Sequence, residues 1–439
     1  MSRYLILGTG VAGIAALQAI RSVDTNSEVV LLGDDPFGYY SRPGLAYYLT
    51  GEMAEKQLFP FTAAEFQELN VRYVKGRATK IFRDEHQIEV DGKSCLGYDH
   101  LLIAVGSQAV QLTVPGADLE GIVKLDHLAD ARQINQLTRK TKRAVVVGGG
   151  ITALELVEGL VAQRVKVTYL LRGDHYWSNV LDEQESKIVE ARLEMEGVEL
   201  IYHAELTEVI GKRGRVDGVR LLDGRIIPCN LLAYAIGIQP RLELAKDAGL
   251  AVDRGILVNE HLQTNDSDIF VAGDVAQAYD PLSGRSIMDS LWNPARDQGH
   301  VAGFNMAGRR SAYLKSAPFN VTRLAGLTTT IIGAVGRGGR DDDLMGIARG
   351  DSETFREIPD AIVAQSGFDI NHLRLLIGEK TLIGALIMGD QTLSTPLQKL
   401  IAGKADISPI RGQLMARDAR IADVVADFWK QWSSSRIVG

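Results

Sequence analysis

The sequence predicts an α/β chain: two three-layer units, each built on a parallel sheet, followed by a C-terminal α+β unit. Three observations carry this expectation. Residues 4–34 read as strand, glycine turn, helix and strand. The same pattern returns at 144–171. Beyond Pro318 the character changes to β-rich segments and a helical tail. The chain has 439 residues, 46% apolar and 23% charged, which is ample for a sizeable core. At that length about three domains are expected.

In the opening stretch an apolar run, Tyr4–Leu7, ends in Gly8-Thr9-Gly10-Val11-Ala12-Gly13. A helix-like stretch follows to Arg21, with apolar residues at Val11, Ile14, Ala15 and Leu17. A second apolar run, Val29–Leu32, ends at Asp34. Gly8 permits the tight turn, Gly10 lets backbone approach a pyrophosphate, and Gly13 lets helix pack close to strand. The helix N-terminus offers free N–H groups and partial positive charge to phosphates. Asp34 stands where an acid accepts hydrogen bonds from ribose hydroxyls. A lone G-x-G-x-x-G is weak evidence. Here strand, helix and acid all flank it, so a Rossmann-like dinucleotide-binding fold is favoured over a plain turn.

The rest follows in order. Residues 36–52, PFGYYSRPGLAYYLTGE, read as a loop leading into a short helix at Leu45–Leu49. Gln57–Leu69 reads as a helix. Val71–Val90 turns β-like, with Asp91-Gly92 as a hairpin turn. YDHLLIAVGS at 98–107 is a buried strand running into Gly106. A helix is expected over Asp126–Arg139, within the connection 111–143. Then Ala144–Val147 is a strand, GGGITA at 148–153 a turn, Leu154–Gln163 a helix and Val165–Leu171 a strand. Residues 182–196 look helical and 198–227 β-rich, with another turn at Asp223-Gly224. LLAYAIGIQP at 231–240 echoes LLIAVGSQ at 101–108. Duplication at this scale means two related nucleotide-binding domains. LQTNDSDIFVAGDVAQ at 262–277 holds an apolar strand ending in Gly273-Asp274. The last part includes the strand pair LRLLIGEKTLIGALIMGD at 373–390 and a helical tail, Gln413–Trp432. The expected bounds are 1–112 with 250–318 for the first domain, 113–249 for the second and 319–439 for the third.

Composition excludes several classes. The net charge of −7 disfavours nucleic acid and anionic membranes as partners. No apolar run is long enough to span a bilayer. The N-terminus enters a strand without a basic region and cleavage site, so no signal peptide is expected. Cys95 and Cys229 are far apart, which gives no disulfide framework, zinc spacing or C-x-x-C pair. A cytoplasmic location is the default. The eight histidines show no H-x-x-H or H-E-x-x-H spacing, so no metal site is expected. RGGRDDD at 337–343 reads as a solvated loop, with a partner contact as the lesser reading. Phe428, Trp429 and Trp432 fall at helical spacing, which means core packing more often than a dimer contact.

GTGVAG at 8–13, GGGITALE at 148–155 and TNDSDIFVAGD at 264–274 come in a distinctive order and spacing. Over roughly residues 3–310 the chain thereby resembles the FAD-dependent pyridine nucleotide-disulfide oxidoreductase superfamily. It is most similar to the branch with no redox disulfide: rubredoxin and ferredoxin reductases, and the flavin portion of NADH-dependent nitrite reductase. A flavin subunit of an iron–sulfur 2-oxoacid oxidoreductase would look similar. YSRPGL at 40–45 is similar to that branch's loop beneath the flavin. LIGALIMGDQTLSTPLQKLI at 382–401 resembles the third domain of the nitrite-reductase group.

The resemblance implies that Gly8, Gly10, Val11, Ala12 and Gly13, with Asp34, bind the adenosine diphosphate of FAD. Gly148, Gly150, Ile151 and Thr152 would bind NAD(P)H. Gly273 and Asp274 would hold the ribityl chain. Trp292 would open a helix whose N-terminus faces the flavin pyrimidine edge, where reduced flavin gathers negative charge. Pro43, Ala78, Ala104, Gly106 and Gly237 complete the implied cofactor-binding set. Glu155 would orient the nicotinamide carboxamide; otherwise it is an acid favoured by the helix dipole. Arg42 would contact FAD phosphate or the isoalloxazine; otherwise it is a surface arginine beside a turn. The chain departs from the family twice. Tyr47 stands where ferredoxin reductases have a lysine near flavin N5, and Asp126 where they commonly carry an arginine. Both changes remove positive charge near FAD. Arg172 ends the second nucleotide strand where an NADH enzyme usually shows an acid. It points to NADPH, while an exposed strand-end arginine explains it nearly as well, so NADH against NADPH stays open.

A hydride moves from nicotinamide C4 to flavin N5, and the cofactors carry that chemistry. The protein must stack two rings in near-attack geometry and exclude water. Arg42, Tyr47 and Glu155 are the residues expected beside the reacting rings. The implied function is an FAD-dependent NAD(P)H oxidoreductase that passes single electrons to an iron–sulfur protein or subunit. The rival readings are an NAD(P)H oxidase or quinone reductase, and a redox-sensing scaffold that binds FAD and NADH. A homodimer, or membership of a hetero-oligomer, fits either.

Overall fold

The computed structural model describes residues 2–281, 284–315, 317–335, 371–416 and 419–437. The charged run at 337–343 lies outside the described residues.

Tyr4, Leu5, Ile6 and Leu7 are all buried, the mark of a strand covered on both faces. Their strand, Arg3–Leu7, is the centre of a five-stranded parallel sheet. It pairs with Glu28–Gly33 on one side and His100–Ile103 on the other. Arg72–Lys75 and Ile269–Val271 form the edges, also in parallel. The second sheet repeats the plan. Arg143–Val147 is central, between Lys166–Leu170 and Leu231–Tyr234, with Glu199–Ile201 and Ile122–Val123 at the edges. The fifth strands enter from opposite ends of the chain. In the first sheet, Ile269–Val271 arrives after the whole second unit. In the second, Ile122–Val123 precedes its central strand.

Each unit also carries a three-stranded antiparallel meander. One is Ala78–Phe82, Gln87–Val90 and Ser94–Gly97. The other is Leu206–Lys212, Arg215–Leu221 and Ile226–Pro228. Both Asp-Gly turns fall where the sequence places them. The two echoed segments pair with each other: Ser107–Ala109 runs antiparallel to Ile238–Pro240, with Gln108 opposite Gln239. This ribbon ties the two units together.

Helix Val11–Val23 and helix Trp292–Met306 pack face to face through small residues. A Cβ on Gly299 would lie 2.3 Å from the Ala12 carbonyl oxygen, and one on Gly303 2.4 Å from that of Ala16. Only glycine allows this approach.

The C-terminal part is a four-stranded antiparallel sheet, in the order Phe319–Leu324, Leu327–Gly333, Leu382–Met388 and His372–Ile377. Its strands alternate between two cores. Ala385 and Ile387 pack with helices Ser394–Ala402, Ser408–Leu414 and Ile421–Ile437. Leu386 and Met388 join the core of the second unit, with Val157 and Leu181.

Two expected helices differ from those observed. Gln57–Leu69 is broken into a 3-10 turn, Glu55–Leu58, and a helix, Ala63–Glu68. Pro60 lacks an N–H and disfavours a helical Phe59, and Thr62 then caps the second piece by accepting from the Glu65 N–H. The tail is not one helix over Gln413–Trp432 but two, Ser408–Leu414 and Ile421–Ile437. Both pack on the same apolar cluster. Phe428 is buried in that cluster, and Trp432 lies against the position of Gly403.

Candidate functional site

The first glycine turn sits at the carboxyl end of the central strand. Gly8 has φ +112, and a Cβ there would fall 2.2 Å from the Ala104 carbonyl oxygen. Its N–H donates to the Leu32 carbonyl at 2.8 Å. A Cβ on Gly13 would fall 2.1 Å from the Gly8 carbonyl oxygen. Gly10 differs: it caps the helix that Val11 and Ala12 begin, and a Cβ there would meet nothing within 4 Å. Two glycines are thus demanded by the protein's own packing, and the middle one faces an open cradle at a helix N-terminus. That cradle fits a pyrophosphate.

The neighbouring strand ends supply the rest. Asp34 is exposed just beyond Glu28–Gly33. Ala78 opens the meander two residues after Gly76, whose N–H donates to the Gly33 carbonyl at 3.0 Å. Ala104 and Gly106, φ +66, follow the strand His100–Ile103. Gly273, φ +82, donates its N–H to Gln298 Oε1 at 2.8 Å. Asp274 Oδ2 accepts from Ser107 Oγ at 2.7 Å. Trp292 is the first residue of its helix, with the Arg296 guanidinium 5.1 Å from its ring centre.

Arg42 lies in the loop before Pro43, which caps helix Gly44–Thr50. Its Nη2 is 2.8 Å from His127 Nδ1, and its Nη1 is 3.7 Å from Asp126 Oδ1. Burial works against the guanidinium charge, but Asp126, Tyr40 and Asp274 outweigh it and raise its pKa. Asp126 is itself buried and close to Lys124 Nζ at 3.6 Å and His127 Nε2 at 3.5 Å. The acid at 126 therefore gathers cations around itself. Asp35, which sequence reasoning passed over, accepts from the Phe37 N–H at 2.9 Å and from Tyr40 at 3.1 Å. Burial opposes ionisation of Asp35, yet hydrogen bonds from His127, Phe37 and Tyr40 keep its pKa below the usual value.

The second glycine turn repeats the first. Gly148 has φ +145, and a Cβ there would lie 2.3 Å from the Ala235 carbonyl oxygen. Gly150 caps the helix Ile151–Ala162, whose first residues are Ile151 and Thr152. Arg172 is exposed just past the strand Lys166–Leu170. Gly237, φ +123, precedes the ribbon strand Ile238–Pro240 and faces Val110. Glu155 is 6% exposed and lies a full turn into its helix.

Tyr47 sits in helix Gly44–Thr50, which packs on helix Ile151–Ala162; a Cβ on Gly159 would lie 2.8 Å from Leu49 Cβ. Burial raises the Tyr47 phenol's pKa, with Glu155, Glu158 and Glu52 adding to the rise and Arg323 opposing it. Arg323 comes from the C-terminal sheet, and its guanidinium stands 5.2 Å from the centre of the Tyr47 ring. Sequence reasoning missed Ser107, Gln298, Glu158 and Arg323. The Gly299/Gly303 spacing was readable as a close-contact stripe, but nothing local marks Arg323.

Two duplicated parallel sheets, each with a glycine turn opening onto a helix N-terminus, define a fold with two cradles of the dinucleotide-binding kind. Residues 2–299 match the model of the pyridine nucleotide-disulphide oxidoreductase family, and the chain belongs to that family. It is 31% identical to the ferredoxin–NAD(+) reductase component of the biphenyl dioxygenase system of Paraburkholderia xenovorans, over 85% of this chain and 87% of the relative. It is 26% identical to nitrite reductase [NAD(P)H] of Bacillus subtilis over 92% of this chain. The match spans 48% of that relative, so the chain is about half its length. Among solved structures, the ferredoxin reductase for the CYP199A2 system of Rhodopseudomonas palustris has the same fold. Its TM-score is 0.81 at 22% identity, covering 97% of this chain and 100% of that one. Among the described residues no helix is long and apolar enough to cross a membrane.

Proposed function

We propose that the chain is a cytoplasmic NAD(P)H-dependent flavoprotein reductase that delivers electrons singly to an iron–sulfur protein or subunit. Residues 1–112 with 250–318 form the FAD domain, 113–249 the NAD(P)H domain, and 319–439 an interface domain. The carrying observation is the loop and helix between Asp35 and Pro60. It holds Arg42, Pro43 and Tyr47 but no cysteine. Cys95 is exposed on a meander, and burial pushes the Cys229 thiol up to about 12. A thiol so raised is not suited to relay electrons as a thiolate, and Cys95 has no second cysteine near it in sequence. The name of the Paraburkholderia relative supports an iron–sulfur acceptor.

The chemistry that FAD would supply when bound is acceptance of a hydride from the nicotinamide and release of electrons one at a time. The chain's residues bind and orient. Gly10 and the N–H groups of the Val11 helix receive the pyrophosphate, and Asp34 the ribose. Asp274, oriented by Ser107, holds the ribityl hydroxyls. Gly148, Gly150 and Thr152 receive the nicotinamide nucleotide. Glu155 is buried and past the helix's first turn, which supports a role in orienting the carboxamide rather than a dipole-favoured surface acid. Exposed Arg172 supports acceptance of a 2′-phosphate.

The test is anaerobic. The FAD-loaded chain is reduced with NADH or NADPH, then mixed with a ferredoxin or a rubredoxin. Rapid reoxidation by the iron–sulfur protein, much faster than by air or a small quinone, is the expected result. Equal or faster reoxidation by oxygen or quinone would replace this reading with the oxidase or quinone-reductase one.

A further inference from the structure

We infer that Arg323, a residue of the C-terminal sheet, is a positioning residue for the flavin-side helix Gly44–Thr50 and sets the charge that this helix presents beside Tyr47. The inference deepens the reading above and rests on it for the placement of FAD.

Arg323 holds this helix at two points. Its guanidinium faces the Tyr47 ring, 5.2 Å from the ring centre. It also grips Glu52, just beyond the helix, with Nη1–Oε2 at 2.6 Å and Nη2–Oε1 at 2.5 Å. That is a bidentate fork, the geometry in which arginine is strongest and lysine cannot follow. Glu52 is in turn fixed by Thr50, the last residue of the helix, whose Oγ1 donates to Glu52 Oε1 at 2.8 Å. Gly51, φ +79, turns the chain so that Glu52 can be reached.

The same guanidinium stands among carboxylates from two other units. Glu158, on the helix of the second glycine turn, accepts from the Gly326 N–H at 3.1 Å. Glu52, Glu158, Arg192, Arg323 and Gly326 all line one cavity of about 1520 Å³. Glu155, one turn before Glu158, acts on the same Tyr47 phenol. Arg323 and Arg192 are cations lining this cavity with Glu52 and Glu158, and Arg323 is the one that stands over the Tyr47 ring. A cation thus stands beside Tyr47, delivered from the C-terminal sheet. Seating the C-terminal domain therefore neutralises the flavin-side helix.

The charges predict opposite signs for two variants that break the same ion pair. Arg323→Ala removes a cation from beside Tyr47 and takes the guanidinium from Glu52, which opposes adding electrons to the flavin, so the midpoint potential falls and anaerobic reduction by NAD(P)H slows several-fold. Glu52→Gln removes a carboxylate and keeps Arg323, so the potential rises. Arg323→Lys keeps the charge without the fork and should restore most of the potential but less of the melting temperature. Potentials are measured by dye equilibration on the FAD-loaded chain, with melting temperatures alongside. Equal potentials in parent and both variants, or shifts of the same sign, would overturn the inference and leave Arg323 an ordinary domain joint. Neither result depends on the electron acceptor, so failure here is separable from failure with iron–sulfur proteins.

Discussion

Ser107 Oγ donates to Asp274 Oδ2 at 2.7 Å, joining two strand ends that lie 167 residues apart in sequence. Ser107 begins the ribbon to the second unit, and Asp274 lies just past the strand Ile269–Val271 that closes the first sheet. The hydroxyl fixes one carboxylate oxygen and leaves the other for a ligand. Ser107→Ala should keep the fold and weaken FAD binding, read as faster loss of FAD on dilution. Unchanged retention would reduce Ser107 to a packing residue.

The glycines of the first turn should separate cleanly. Gly13→Ala places a Cβ 2.1 Å from backbone that cannot yield, and should destabilise the protein by roughly 1–3 kcal/mol. Gly10→Leu meets open space, so its melting temperature without FAD should match the parent's while FAD content falls to near zero. Thermal melts and flavin absorbance of the purified variants check both.

Arg172→Glu should lower kcat/KM for NADPH relative to NADH by about tenfold to a hundredfold, the worth of one charge-assisted hydrogen bond to a phosphate. An unchanged ratio would make Arg172 a plain exposed arginine.

Glu155→Ala should slow anaerobic flavin reduction on the order of tenfold to a hundredfold through misplacement of the nicotinamide, with FAD content intact. Stopped-flow traces at parental speed would remove the residue from the site.

Glu158 gives a pH dependence. Burial pushes its carboxyl up to about 7 from 4.5, with Glu52 adding and Arg323, the Gly326 N–H and Arg192 opposing. The folded state then holds a proton that the unfolded chain has released, so stability falls as pH rises through that window and levels above it. Glu158→Gln removes the fall. The variant's melting temperature should gain on the parent's from about pH 5 to about pH 8. A constant gap would show that Glu158 titrates normally.

Much of this was legible because it is local. The glycine turns, the apolar strands between them and the Asp-Gly hairpins are read within a few residues, and each formed where expected. The helix over 57–69 failed on one residue, Pro60, whose missing N–H outweighed the surrounding helix formers. Asp126 read as a loss of positive charge, because its partner Arg42 lies far off in sequence and could be paired with it only once the loop was folded. Arg323 was beyond reach altogether. It meets Glu52 across 271 residues, and no spacing in either segment announces the other.

The placement of the fifth strands has a consequence in time. Ile122–Val123, the early edge strand of the second sheet, is synthesised before the rest of that sheet, so the sheet is complete once residue 234 has emerged. The first sheet, although it begins at residue 3, lacks its last strand until Ile269–Val271 appears. Of the two parallel-sheet units, the one that starts first therefore closes second. Released chains truncated near residue 260 should protect the second sheet from protease while leaving the first open to it.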